Sequence, residues 1–275
     1  IDEDIDLIII GAGLPLKIPG MLADAGYTNF KTQIVVKVSS AKAAKLIFKY
    51  WSDRYNKIPD AVVVEGPLAG GHLGFRKEEL TGTMMPLHTL VVETAAVIRS
   101  FESKYHKEVP VIAAGGIYTG SDIYSILKAG AKGVKLGTRF VTTYECDASM
   151  EFKMSFINCK KDDITLIDSP VGLPGRVIYN KFIQQIRDGA VKPFKCEWHC
   201  LSSCNYRNVS YCIAQALNNA VRGKMSDGFA FTGTNGFLAE KIQHVSEVFR
   251  ELIADYRLAS AADNLQLATM RIIKT

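Results

Sequence analysis

Five short apolar runs, each closed by turn-forming residues, set the strongest limit on how this chain can fold. They are Leu7–Ile10, Ile34–Val38, Ala61–Val64, Val111–Ala114 and Gly133–Leu136. Each is rich in β-branched residues and nearly all apolar, which suits a strand buried on both faces of a parallel sheet. Between them, Ile18–Ala25, Ala41–Tyr50, Leu87–Lys104 and Ser121–Ala129 carry the amphipathic spacing of helices. That alternation predicts βαβ units. The runs end in Gly11-Ala12-Gly13, Ser39-Ser40, Gly66-Pro67, Gly115-Gly116 and Gly137-Thr138. In an α/β barrel such strand ends form the active face.

Five strands do not close a barrel; eight do, and three more βα units would need roughly 75 residues. The expectation is therefore a (β/α)8 barrel whose first three units are absent from this numbering, with an open doubly wound sheet as the rival. Residues 1–145 would be barrel strands four to eight. After Phe140 the pattern changes. Cys146–Ile157 reads as a helix, Asp163–Asp168 as a strand and Ser169–Arg176 as a rigid turn. Helices are expected over 177–190, near 211–222 and over 236–256, with a cysteine-rich loop at 196–212. Residues 146–256 would form a helical appendage and 257–275 a tail.

The chain has 275 residues and a formal charge of +5, from 33 basic and 28 acidic residues without a block of like charge. No nucleic-acid arm or polybasic membrane anchor is expected. The longest apolar runs have strand length and cannot span a bilayer. The first residues lack the basic start of a secretory signal, and six cysteines in a chain this long fit a reducing cytoplasm.

Two consecutive strand ends carry glycines, Gly115-Gly116 and Gly137-Thr138. A phosphate needs bare backbone N–H groups, and glycine lets the backbone approach it. The helix expected from Ser121 would add its positive end, and in (β/α)8 enzymes the last two loops are the commonest phosphate site. Two ordinary tight turns are the bland alternative. A second motif, Val64-Glu65-Gly66-Pro67-Leu68-Ala69-Gly70-Gly71-His72-Leu73-Gly74, puts a histidine in a glycine-rich loop at a strand end. Its imidazole could work as an acid or base near neutral pH, or serve as a structural hydrogen-bonder.

Ala69–Gly74, Ala113-Ala114-Gly115-Gly116-Ile117 and Leu136-Gly137-Thr138-Arg139-Phe140 together resemble the nitronate monooxygenase family, formerly 2-nitropropane dioxygenase. That family also includes the flavin-dependent type II enoyl-acyl-carrier-protein reductases. Gly11–Pro15 and Ser169–Arg176 resemble further segments of it. The resemblance implies a barrel that binds FMN. Gly115, Gly116, Gly137 and Thr138 would grip its phosphate, with Lys135 and Leu136 completing that strand end. Glu65 would lie close to the flavin and Gly70 and Gly71 against its ring, while His72 matches the active-site histidine. Leu68 departs from the pattern, since many members carry an acidic residue there, and this leaves the substrate open.

Two activities follow from the resemblance: oxygen-dependent oxidation of alkyl nitronates, or NAD(P)H-dependent reduction of an enoyl thioester. Either takes a small-molecule substrate, and the number of subunits stays open, a homodimer included. Lys37 ends an apolar strand and could point inward to the flavin's pyrimidine edge, where a cation stabilises charge gained on reduction. Equally, it could snorkel at the rim. Cys196, Cys200, Cys204 and Cys212, with His199, fit a zinc or iron–sulfur site, a face of small buried thiols, or a disulfide. Cys146 and Cys159 read as core.

Overall fold

The computed structural model of the chain describes residues 1–11, 13–196, 199–200 and 204–273. Ala12 in the first turn, residues 197, 198 and 201–203 in the cysteine-rich loop, and the last two residues of the expected tail lie outside the described residues. The elements run β1 (Leu7–Ile10), α1 (Ile18–Asp24), β2 (Gln33–Val38), α2 (Ala41–Tyr55), β3 (Ala61–Glu65), β4 (Gly71–His72), α3 (Lys77–Thr81) and α4 (Leu87–Tyr105). Then follow β5 (Val111–Ala114), α5 (Gly120–Lys128), β6 (Gly133–Lys135), α6 (Thr138–Val141) and α7 (Met150–Ile157). The last are β7 (Ile164–Asp168), β8 (Pro174–Ile178), α8 (Lys181–Arg187), α9 (Ile213–Val221) and α10 (Val245–Ile273). The chain divides into two compact units. The first comprises residues 1–67, 80–115 and 123–135, and the second 68–79, 116–122 and 136 onward.

The first unit holds the parallel sheet, in the order β1-β2-β3-β5-β6. All five sequence-read strands are present, curled into part of a barrel. The alternation of the pleat sorts their side chains. Val35, Ala61, Val63 and Ala114, with Ile112, make one apolar layer. Ile34, Val36, Val38, Val62, Val64 and Val111 face the other way and are buried. Helices contribute Ala44, Ile47, Phe48 and Trp51 of α2 and Leu90, Val91, Thr94 and Ile98 of α4, spaced for one helix face. Each such large apolar side chain contributes roughly 1.5–3 kcal/mol on burial. Local chemistry sets the helix ends. The Ser40 hydroxyl accepts the N–H of Ala43 at 3.2 Å to start α2, and Asn56 stops it in the left-handed conformation, φ 50°. The layer that contains Val35 loses its cover at β1, where Leu7 and Ile9 on the same face are 43% and 39% exposed.

In the second unit β8 lies between β4 and β7, antiparallel to both. Val177 packs with Phe182, Tyr211 and Phe229 in one core cluster, and Ile178 with Phe156 and Ala230 in another. Several boundaries differ from the sequence reading. The rigid turn ends at Leu173, because Pro174–Ile178 pair along β7, and the helix expected over 177–190 shrinks to α8. The helix expected from Cys146 starts at Met150, capped by the Ser149 hydroxyl on the Phe152 N–H at 3.2 Å. The helix expected from 236 begins at Val245. Gln243 is instead drawn into backbone hydrogen bonds with Thr142 and Tyr144, and α10 then continues through the segment read as a tail.

Candidate active site

Two predicted flavin contacts meet at the C-terminal rim of the parallel sheet. Lys37 of β2 and Glu65 of β3 fall on the face of the Val35–Ala61–Val63 layer, as the alternation requires. Lys37 Nζ lies 2.9 Å from Glu65 Oε2 and 3.0 Å from Oε1. The lysine therefore points inward, and its charge is matched by a carboxylate that is only 8% exposed. Both readings of Lys37 had left that partner out. Gly115 closes β5 with φ +93°, and Lys135 ends β6 with its side chain exposed.

The second unit builds a cradle from loops far apart in sequence. The turn at 232–236 holds two of them. The Gly233 N–H donates to Thr138 Oγ1 at 3.0 Å, and Asn235 Nδ2 donates to the Gly116 carbonyl at 2.8 Å. The same turn reaches the histidine loop, where the Thr234 N–H donates to the Leu68 carbonyl at 3.1 Å. Among the described residues no hydrogen bond occupies the N–H of Gly116, Gly137 or Thr138. Backbone donors left bare in this way are what an anion takes up.

The glycines here answer to different demands. A Cβ on Gly70 would sit 2.4 Å from the Thr232 carbonyl carbon, so the fold itself excludes one. Gly116 has φ +80° and would press Leu68 at 2.9 Å. Gly137 has φ −122°, and a Cβ there would meet no atom within 4 Å. Among the described residues nothing fills the place of a side chain at Gly137. Unbonded N–H groups and the open space at Gly137 are the features that a phosphate group requires of such loops. The expected help from the end of α5 is not on offer, because carboxylates of the chain already hold it. Asp122 accepts the N–H groups of Tyr118 and Thr119, and Asp255 accepts that of Ser121, each at 2.9 Å.

His72 sits on β4, paired to Gly175 of β8. Its Nε2 lies 2.7 Å from Ser169 Oγ, and its ring meets the Phe231 ring edge-on at 4.9 Å between centroids. The Ser169 contact holds Nε2, and the Phe231 ring packs against the imidazole. Arg176, one strand position away, is buried and donates to the Ala69 carbonyl, which sets the loop before Gly70. Burial lowers its pKa from the ordinary guanidinium value.

Sequence reasoning had Ser169 only as part of a turn, and it passed over Phe231 and the 232–236 turn. The signal was present as Thr232-Gly233-Thr234-Asn235-Gly236, turn chemistry in a stretch taken as appendage. All six cysteines are free, and no group of three or more His, Cys, Asp or Glu among the described residues could hold a metal. Cys204 packs against the Phe182–Tyr211 cluster, and burial followed by the neighbouring Cys196, Cys200 and Cys212 raises its thiol pKa. Burial takes Cys159 up to about 11, a core thiol as read.

The curled parallel sheet of the first unit defines the class of this protein as an α/β chain. This chain belongs to the nitronate monooxygenase family, an oxidoreductase family whose sequence model matches residues 2–255. It is 32% identical over 143 residues to a probable nitronate monooxygenase of Staphylococcus haemolyticus strain JCSC1435, a match that covers 49% of this chain and 36% of that relative. A probable nitronate monooxygenase of Staphylococcus aureus strain Newman is 34% identical over 128 residues, 46% of this chain and 34% of the relative. The chain thus spans about a third of the length of the curated relatives it matches. FabK from Thermotoga maritima superposes with a TM-score of 0.71 at 23% identity, over 97% of this chain and 72% of that one. Nitroalkane oxidase from Streptomyces ansochromogenes gives 0.68 at 22%, over 95% and 67%. No helix among the described residues is long and apolar enough to cross a membrane.

Proposed function

We propose that the chain is the flavin-bearing part of an FMN-dependent oxidoreductase that oxidises alkyl nitronates with oxygen to carbonyl compounds and nitrite. The reading rests above all on the 232–236 turn, which ties Thr138 and Gly116 while their loops keep N–H groups bare. Those donors, with Gly137 and Gly115, would take the FMN phosphate, Lys135 and Leu136 flanking them. Gly70 and Gly71 would present backbone to the flavin ring, and the Lys37–Glu65 pair would border it.

Bound FMN would supply the electron-accepting chemistry that passes electrons from nitronate to oxygen. His72, held at Nε2 by Ser169, would orient the nitro group and remove the α-proton when a neutral nitroalkane is offered. The sheet would be five consecutive strands of a (β/α)8 barrel, a reading supported by the bare inner face of β1.

Two of the solved neighbours are named for different chemistry, a nitroalkane oxidase and the enoyl reductase domain of MlnA from Bacillus amyloliquefaciens. Anaerobic mixing of the flavin-loaded protein separates the two. Bleaching of the flavin absorbance by propyl nitronate and not by NADPH is the expected result. Rapid bleaching by NADPH instead would make the chain an enoyl thioester reductase. His72→Ala should retain FMN and lose turnover of neutral nitroalkane by about 100-fold, within the usual range for a general base; parallel loss of flavin would remove His72 from the proton step.

A further inference from the structure

The two glycine loops do not end at their glycines. The first runs on through Ile117-Tyr118-Thr119-Gly120-Ser121, the second into Arg139. Beyond the cradle these continuations touch one another. The Arg139 guanidinium lies over the Tyr118 ring, 5.0 Å from its centroid. Tyr118 is buried, and the Arg139 guanidinium stacked on its ring helps to locate it. Burial raises the pKa of that phenol, which favours its neutral form.

Both continuations are also held from behind by one element, α10. Glu251 pairs with Arg139, whose side chain is only 11% exposed. One turn later Asp255 accepts the Ser121 N–H at 2.9 Å. Between these two carboxylates the α10 backbone abuts the loop so closely that a Cβ on Gly120 would fall 2.0 Å from the Leu252 carbonyl oxygen. Residues 251 and 255 are four apart and share a helix face, so one helix fixes both loops at once.

We infer that α10 is a positioning element for the cradle: through Glu251 on Arg139 and Asp255 on Ser121 it sets the spacing of the Gly116 and Gly137 loops. This inference rests on the phosphate reading of those loops. An anion gripped by amides from two loops is sensitive to their separation, because hydrogen bonds weaken steeply once distance and angle leave the favoured range. Neither carboxylate would meet the ligand; each acts through the loop it holds.

The test compares FMN with riboflavin, which shares the ring and lacks the phosphate, by fluorescence titration of the flavin-free full chain. Wild type should prefer FMN strongly. Glu251→Ala and Asp255→Ala should each weaken FMN binding about tenfold and leave riboflavin unchanged. Asp255→Asn, which keeps an acceptor oxygen for Ser121, should restore most of the preference. Equal weakening of both flavins would mean that α10 merely supports the fold, and unchanged selectivity in every variant would remove its role; either result overturns the inference. If an alanine variant does not fold, Glu251→Gln, which removes the charge paired with Arg139 and keeps the side chain's length, carries the same comparison with a smaller shift. A wild type indifferent to the phosphate would overturn the cradle reading and this inference together, whereas a selective wild type with equally selective variants would overturn only the latter.

Discussion

The Gly70–Gly71 loop and the Gly137–Thr138 loop look alike as sequence, yet the fold asks different things of them. At Gly70 the backbone of Thr232 and Gly233 fills the place of a side chain, at 2.4 and 2.5 Å from an added Cβ. At Gly137 that place is empty, and φ is negative. One glycine serves packing within the chain. The other leaves room that no described residue uses. The difference separates a glycine that the fold requires from one that it leaves unconstrained, a distinction that composition cannot make.

Substitution should pull the two apart. The largest effect is expected at Gly70→Ala, where a methyl meets backbone that cannot rotate away; unfolding in urea should show a loss of about 3 kcal/mol. A near-neutral result would mean that the Thr232 segment yields easily, and the contrast would fade. Next comes Gly137→Asp. Thermal melting of the flavin-free protein should stay close to wild type, while FMN affinity drops roughly 100-fold, about 2.7 kcal/mol, through repulsion of the phosphate. Retained FMN would break the ligand half of the comparison.

Ser169→Ala tests the chemistry carried by the packed loop. Freeing the His72 ring at Nε2 should lower kcat/KM for neutral nitroalkane about tenfold and leave preformed nitronate less affected, near 1.4 kcal/mol in the barrier. Equal losses on both substrates would assign Ser169 to general order of the site. Smallest is Gly137→Ala, which should move folding stability by less than about 1 kcal/mol in either direction. Any loss of FMN in that variant would then report crowding of the ligand alone.

Much of the scaffold could be read along the chain because its signals are local. Val35–Val38 and Ala61–Val64 announce buried parallel strands by composition, and Ser40 starts α2 by hydrogen bonding within a few residues, whereas the helix runs five residues past its expected end at Tyr50. The element limits in the second unit were harder. Val177 and Ile178 suit a helix as well as a strand by pattern, and only pairing with Thr165 and Ile164 decides for the strand. Likewise the residues before α10 could have joined a helix, but Gln243 is claimed by the backbone of Thr142 and Tyr144.

The sequence by itself determined the five strands, their turn-ended tips and the positions of His72, Gly116 and Gly137, because periodicity and backbone sterics act over a few residues. Tertiary structure alone decided that His72 meets Ser169, 97 residues away, that Lys37 is matched by Glu65, and that one carboxylate of α10, Asp255, occupies the end of α5. Partnership between distant polar groups depends on distances that a linear pattern does not contain. A donor or acceptor is committed only when the folded chain brings its partner within hydrogen-bonding range.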